Sequence, residues 1–212
     1  MGRIYHATCG RLFAAGYDRM LRSTEEAGLR DRRREVVSQA RGATLELGAG
    51  TGLNLDLYTD AVTDLVLTEP SDHMARRLRR RAGAERRDAE VVEAPAESLP
   101  FPDDRFDTVV STLVLCTVGD QRRTLAEVAR VLKPGGRLLF VEHVRSPDPR
   151  VARWQDRLMR PWRFCGDGCH CNRDTVAEIE ASALQLGEVE RGELPKAPPI
   201  VRPLVAGAAT AP

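Results

Sequence analysis

Residues 44–52 read Thr44-Leu45-Glu46-Leu47-Gly48-Ala49-Gly50-Thr51-Gly52, a short apolar run that ends in three alternating glycines. A residue without Cβ lets the backbone turn sharply and lie flat against a ligand. The pattern therefore predicts a buried strand, a tight turn and then a helix. Glu69 follows the next apolar run, seventeen residues after Gly52. In a doubly wound sheet, a carboxylate at the tip of the second strand, ~20 residues beyond the glycines, accepts hydrogen bonds from ribose hydroxyls. Together these features confine the chain to an α/β fold that holds a nucleoside carrying a small charged group. The spacing discriminates further. A dinucleotide site asks for G-x-G-x-x-G, and position 53, where its third glycine belongs, is Leu53.

The rest of the chain alternates in the same manner. Residues 10–40 are predicted helical, with Leu12, Phe13, Tyr17, Met20 and Leu21 at helical spacing. Strands are expected over 44–47, 64–68, 90–93, 106–111 and 137–142. Helices are expected over 53–58, after an N-cap at Ser71, and over 121–132, where Pro134-Gly135-Gly136 is expected to stop the last of these. Near-continuous apolar strands favour a parallel sheet covered on both faces. After Arg145 the pattern loosens, and residues 146–172 hold both tryptophans and a cysteine cluster. A helix over 174–186 and closing strands over 187–191 and 204–209 complete the chain.

Composition excludes several roles. A formal net charge of +1 offers no field for nucleic acid. The arginine-rich stretch 76–81 reads as the solvated face of a surface helix. No run approaches the roughly 20 apolar residues that cross a bilayer, so no stable membrane insertion is expected. Five cysteines, an odd number, fit reduced thiols and a cytoplasmic setting. Cys165, Cys169, His170 and Cys171 invite a zinc reading, but C-x3-C-H-C lacks the usual pairing, and no metal is expected.

Four ordered motifs resemble those of class I S-adenosylmethionine (SAM) methyltransferases: Glu46-x-Gly48-x-Gly50-x-Gly52, Glu69, the stretch Ala96-Glu97-x-Leu99-Pro100-Phe101, and Leu132-Lys133-Pro134-Gly135-Gly136. The likeness implies a Rossmann-like, doubly wound, seven-stranded sheet, mostly parallel with an antiparallel last strand and helices on both faces. It implies SAM as cofactor and one domain over 1–212. Within it, 1–40 forms a helical lid, 41–145 the SAM-binding core, and 146–212 an acceptor-side insertion with closing strands.

In such a sheet, ligands bind beyond the carboxyl ends of the strands. The implied cofactor-binding residues are therefore Glu46, Gly48, Ala49, Gly50, Gly52, Asn54, Glu69, Pro70, Met74, Ala96, Glu97, Ser111 and Leu113, with Tyr17 as an aromatic lid. The family often has Asp before the alanine of the third motif, and here that place is Pro95.

A narrower resemblance joins Ser111–Cys116, Val141-Glu142-His143-Val144, Asp167-Gly168-Cys169 with Asn172-Arg173-Asp174-Thr175, and Val201-Arg202-Pro203 to the methyltransferase-like thiol S-methyltransferases. It implies methyl transfer to a small, hydrophobic acceptor, with a thiol favoured. Phospholipid or quinone methylation, SAM binding without transfer, and a nicotinamide-dependent oxidoreductase are the alternatives. His143 and Asp167 are the candidates for assisting deprotonation, with Arg173 placed to stabilise a thiolate. Trp154, Trp162 and Phe164 are expected to line an apolar acceptor pocket.

Overall fold

The computed structural model describes residues 16, 18, 19, 21–85, 88–166 and 168–212. Tyr17 and Asp167 lie outside these residues, as does most of the stretch 1–20. The chain is helical from residue 21, passes a π-turn over Glu25–Leu29 and continues into α1 (Arg30–Val37). Gly28 interrupts the helical geometry at φ +132°, so the expected continuous helix is in fact kinked. Then follow β1 (Gly42–Leu47), β2 (Val62–Thr68), α2 (Asp72–Glu85), β3 (Glu90–Val92), β4 (Phe106–Thr112), α3 (Gln121–Val131) and β5 (Leu132–His143). The chain closes with α4 (Pro149–Cys165), α5 (Thr175–Glu180), β6 (Gln185–Glu193) and β7 (Pro203–Thr210).

The seven strands form one sheet in the order β3-β2-β1-β4-β5-β7-β6. β1 through β5 pair in parallel, and β7 runs antiparallel to both β5 and β6. The order reverses at β1 and β4, the place where a doubly wound sheet opens a crevice. Strand alternation divides the core in two. Val110, Leu139 and Val141 face Val36, Val37 and Leu78, while Val109, Leu138 and Phe140 face Leu125, Val128 and Ile179.

Four expectations need correction. The helix expected over 53–58 is only a 3-10 turn at Leu55–Leu57. Eleven residues separate Gly50 from Val62, and they must run back along the sheet by roughly 20 Å. At ~1.5 Å per residue a helix spans too little, so the chain goes extended from Tyr58. Pro134-Gly135-Gly136 does not stop α3, which already ends at Val131; those residues lie inside β5, where the register to β4 shifts. The loosened stretch after Arg145 contains a seventeen-residue helix, α4. Pro149 occupies its first turn, where no amide partner is needed, and the Asp148 carboxylate accepts from the Arg150 amide. The expected helix over 174–186 is shorter, ending at Glu180, and β6 takes up the remainder.

Candidate active site

β1 delivers Leu47 into a turn whose three glycines all adopt positive φ: +51° at Gly48, +58° at Gly50 and +83° at Gly52. A Cβ on Gly48 would stand 2.9 Å from Val114 Cγ2, so strain and space both exclude a side chain. The turn is braced from β2. The Ala49 amide donates to the Thr68 carbonyl at 2.8 Å, and the Gly50 amide donates to Glu69 Oε2 at 2.9 Å. Glu69 Oε1 accepts from the Ser71 amide at 2.9 Å. One buried carboxylate thus ties the glycine turn to the start of α2, where the Ser71 carbonyl accepts the first helical bond from Ala75.

Above this turn lies a cleft that, open solvent included, outlines about 350 Å³ of empty space. Its walls are Leu21, Glu25 and Arg33 on one side and residues 48–51, Leu53 and Asn54 on the other, with Glu46, Thr112 and Leu113 at the back. Of the anticipated residues, Glu46, Gly48, Ala49, Gly50, Asn54 and Leu113 meet here. Gly52 supports the turn from behind, where a Cβ would lie 2.7 Å from Leu55 Cδ1. Leu113 holds the left-handed backbone at φ +59°, which a leucine adopts only under constraint. Its amide is fixed to the Val141 carbonyl at 2.8 Å.

A buried polar chain crosses the floor of the cleft. Arg33 Nη1 donates to Asn54 Oδ1 at 2.8 Å, and Asn54 Nδ2 donates to Glu46 Oε1 at 2.8 Å. The Tyr58 hydroxyl donates to Glu46 Oε2 at 2.7 Å, and Arg33 Nη2 pairs with Glu25 Oε2. Burial pushes the Glu46 carboxyl up to about 7, although Tyr58, Asn54 and Arg33 all favour its charged form. Within this network Glu25 Oε1 and Arg33 Nε are buried and have no hydrogen-bond partner among the described residues. An acceptor and a charged donor, buried and unpaired in one cleft, suit a ligand that carries both an ammonium and a carboxylate. The donor set therefore fits the aminoacyl end of SAM. Arg33 and Glu25 escaped the sequence reading, because one arginine among thirty and one acid in a charged run carry no mark of their own.

The other anticipated residues that the structure describes do not line the cleft. Met74 and Ala96 are buried, and Pro70 is exposed. Glu97 Oε1 accepts from the amides of Gly119 and Asp120, fastening the loop before α3. The Ser111 hydroxyl donates to Glu142 Oε1 at 2.8 Å. Glu142 also accepts from the amides of Val114, Leu115 and Cys116 at 2.9, 3.0 and 3.4 Å, so it shapes the loop after β4.

The acceptor-side expectations change more. Trp154 and Phe164 are 56% and 65% exposed, so they line no interior pocket. Arg173 cannot serve a thiolate freely: its Nη1 donates to the Leu115 and Val118 carbonyls at 2.8 and 2.7 Å, stapling the loop instead. Of the residues weighed for zinc, Cys169 joins a cluster among the described residues, and its companions are Cys116 and His143. One side-chain atom from each lies within 4.8 Å of the others, all buried.

Residues 45–140 match the family model for a methyltransferase domain. Thiol S-methyltransferase TMT1B of Homo sapiens is 37% identical over 176 residues, covering 77% of this chain and 71% of its own. The chain is a class I SAM-dependent methyltransferase. SAM is its methyl donor. A demethylmenaquinone methyltransferase of Clavibacter sepedonicus is 38% identical over 127 residues, which cover 60% of this chain and 51% of the relative. In fold, the crystal structure of a SAM-dependent methyltransferase from Thermotoga maritima superposes with a TM-score of 0.69 at 22% identity, covering 95% of this chain and 97% of the other. Among the described residues no helix is long and apolar enough to cross a membrane.

Proposed function

We propose that this methyltransferase acts on a small, hydrophobic thiol. In this reading the cleft holds the donor with Arg33 at its carboxylate and with Glu25 and Glu46 at its ammonium. The amides of residues 48–52 pass beneath it, and Glu69 takes the ribose hydroxyls. Ala96, Glu97, Pro70, Met74 and Ser111 frame the adenine end, and Leu113 abuts the sulfonium. Asp167 and Tyr17 keep their proposed roles, as an aid to deprotonation and as an aromatic lid.

One observation carries the choice of a thiol. The similarity to the thiol S-methyltransferase covers 77% of this chain, too much to end before residue 146, so it reaches into the acceptor-side part. The similarity to the demethylmenaquinone methyltransferase, at 60%, is short enough to be confined to the donor half.

The chemistry asks little of the protein beyond alignment and dryness. Bound SAM supplies an electrophilic methyl group on a sulfonium whose charge is lost as the methyl leaves. The cleft walls exclude water, which favours that loss of charge, and hold the acceptor in line with the methyl carbon. A thiolate is a strong nucleophile, with a free thiol pKa near 8.5. The test is turnover of SAM against alkyl thiols, aryl thiols, phenols, amines and a demethylated quinone, read by formation of S-adenosylhomocysteine. Thiols are expected to turn over fastest. Thiols inert while the quinone reacts would refute the acceptor assignment.

A further inference from the structure

His143 ends β5, and its Nε2 lies 2.9 Å from Cys169 Sγ. The same sulfur accepts from Trp162 Nε1 at 3.0 Å. The opposite ring nitrogen, His143 Nδ1, is buried and has no partner among the described residues. The three residues come from separate parts of the fold: β5, the end of α4 and the loop after it. Gln155 locks these parts together. Its Nε2 donates to the carbonyls of Val144, Cys171 and Ile200 at 3.1, 2.8 and 2.9 Å, so the loop bearing Cys169 is fastened to the end of β5. The His170 amide adds a bond to the Cys116 carbonyl at 2.8 Å. The cluster stands directly behind the cleft wall, since Cys116 Sγ lies 3.4 Å from the carbonyl of Leu113, which lines the cleft.

We propose that Cys169 is the positioning residue for His143 as the catalytic base: its sulfur takes the Nε2–H, which leaves Nδ1 as the acceptor of the proton from the substrate thiol. This deepens the thiol reading and rests on it. A ring nitrogen without a partner costs stability in a dry interior unless a substrate supplies one. The arrangement is that of a base held in one tautomer by an acceptor on its far side. Hydrogen bonds from Cys116 and His143 outweigh burial and hold the Cys169 thiol below its usual range, which suits a sulfur that accepts from the imidazole. Cys116 is pushed the other way and keeps its proton. The charged and titratable groups around the ring are Glu142 on its own strand, Cys116 after β4, Cys169 after α4 and, beyond them, Arg173.

The proton balance closes. The acceptor S–H bond breaks and its proton moves to Nδ1, forming an imidazolium whose Nε2–H the Cys169 sulfur accepts. The acceptor sulfur then forms the new C–S bond as the sulfonium C–S bond breaks, and that bond's electron pair remains on the donor sulfur. The proton on His143 passes to water after the thioether leaves.

At 2.9 Å the N–S pair stands closer than the about 3.5 Å at which tetrahedral zinc holds N and S ligands.

The experiment pairs kinetics with spectroscopy on the full chain. Cys169→Ala is expected to lower kcat/KM for an alkyl thiol by about a hundredfold. An aryl thiol already ionised at the assay pH should change little, and S-adenosylhomocysteine should bind as before. Cys169→Ser, which keeps an acceptor, should recover part of the loss and keeps the test open if the alanine variant unfolds. Nitrogen NMR of labelled histidine, assigned through His143→Asn, should show the Nε2–H form in the wild type and a mixture in Cys169→Ala. Equal losses on both thiols, no loss at all, an unchanged tautomer or a stoichiometric metal in the purified protein would each overturn the proposal. Wild-type inertness towards every thiol would remove the thiol reading together with this one. Alkyl-thiol turnover undiminished in Cys169→Ala removes this one alone.

Discussion

Glu46 allows the most quantitative test of the cleft. Its carboxyl is fully buried beneath the glycine turn, and that burial raises its pKa from an ordinary 4.5 to about 7. Between these values the folded protein holds a proton that the unfolded chain has released. Unfolding then releases a proton, so stability falls as pH rises through this window. Each pH unit removes about 1.4 kcal/mol, and the window as a whole is worth about 3 kcal/mol. Glu46→Gln has no proton to lose and keeps an oxygen to accept from Tyr58 or Asn54. Urea unfolding of both proteins between about pH 5 and about pH 8 isolates the effect, because titrations common to the two cancel in the difference. The variant is expected to gain on the wild type by about 3 kcal/mol across that range. Parallel stability curves would refute the reasoning, since they would mean that Glu46 is already ionised in the fold. The same carboxyl links to the donor. An ammonium set against it favours its charged form, so S-adenosylhomocysteine binding near neutral pH should expel a fraction of a proton, seen in calorimetry as heat that depends on the buffer.

Two further outcomes follow from the same cleft and its support. Arg33→Met removes a buried cation whose Nε has no partner among the described residues, and S-adenosylhomocysteine affinity should fall by the equivalent of about 1.5–3 kcal/mol in calorimetry; unchanged affinity would take Arg33 out of the donor site. Glu142→Ala strips the acceptor from three backbone amides and the Ser111 hydroxyl, and should lower stability in urea by about 3 kcal/mol or more. Glu142→Gln, which keeps an acceptor oxygen, should cost much less; equal losses would point to charge and not to the amide contacts.

What the sequence discloses divides along a physical line. The β1 turn is legible because its requirements are local: positive φ at Gly48, Gly50 and Gly52 excludes most other residues, and the spacing to Glu69 is set by one strand–turn–strand unit. The inner strands β1, β2, β4 and β5 are legible for the same reason, since each carries an apolar run next to turn residues. α4 is not, because Pro149 and Pro161 read as breaks although the first sits harmlessly at a helix start, and because its tryptophans suggest a core that Trp154 never enters.

The polar sites are the least legible of all, because they are assembled across the chain. Arg33 reaches Asn54 from another element, and Cys116, His143 and Cys169 stand 26 or more residues apart, brought together only when β4, β5 and the loop after α4 converge. The glycine turn announces a donor that many proteins of this fold share. The choice of acceptor falls to contacts that no short motif encodes, and these lie where β4, β5 and α4 end together. A family built this way can keep its donor turn nearly constant while the acceptor changes, because the two depend on different ranges of sequence. Substitutions at Cys169 and Trp162 should therefore alter which acceptor reacts, whereas substitutions at Arg33 and Glu69 should weaken every reaction alike.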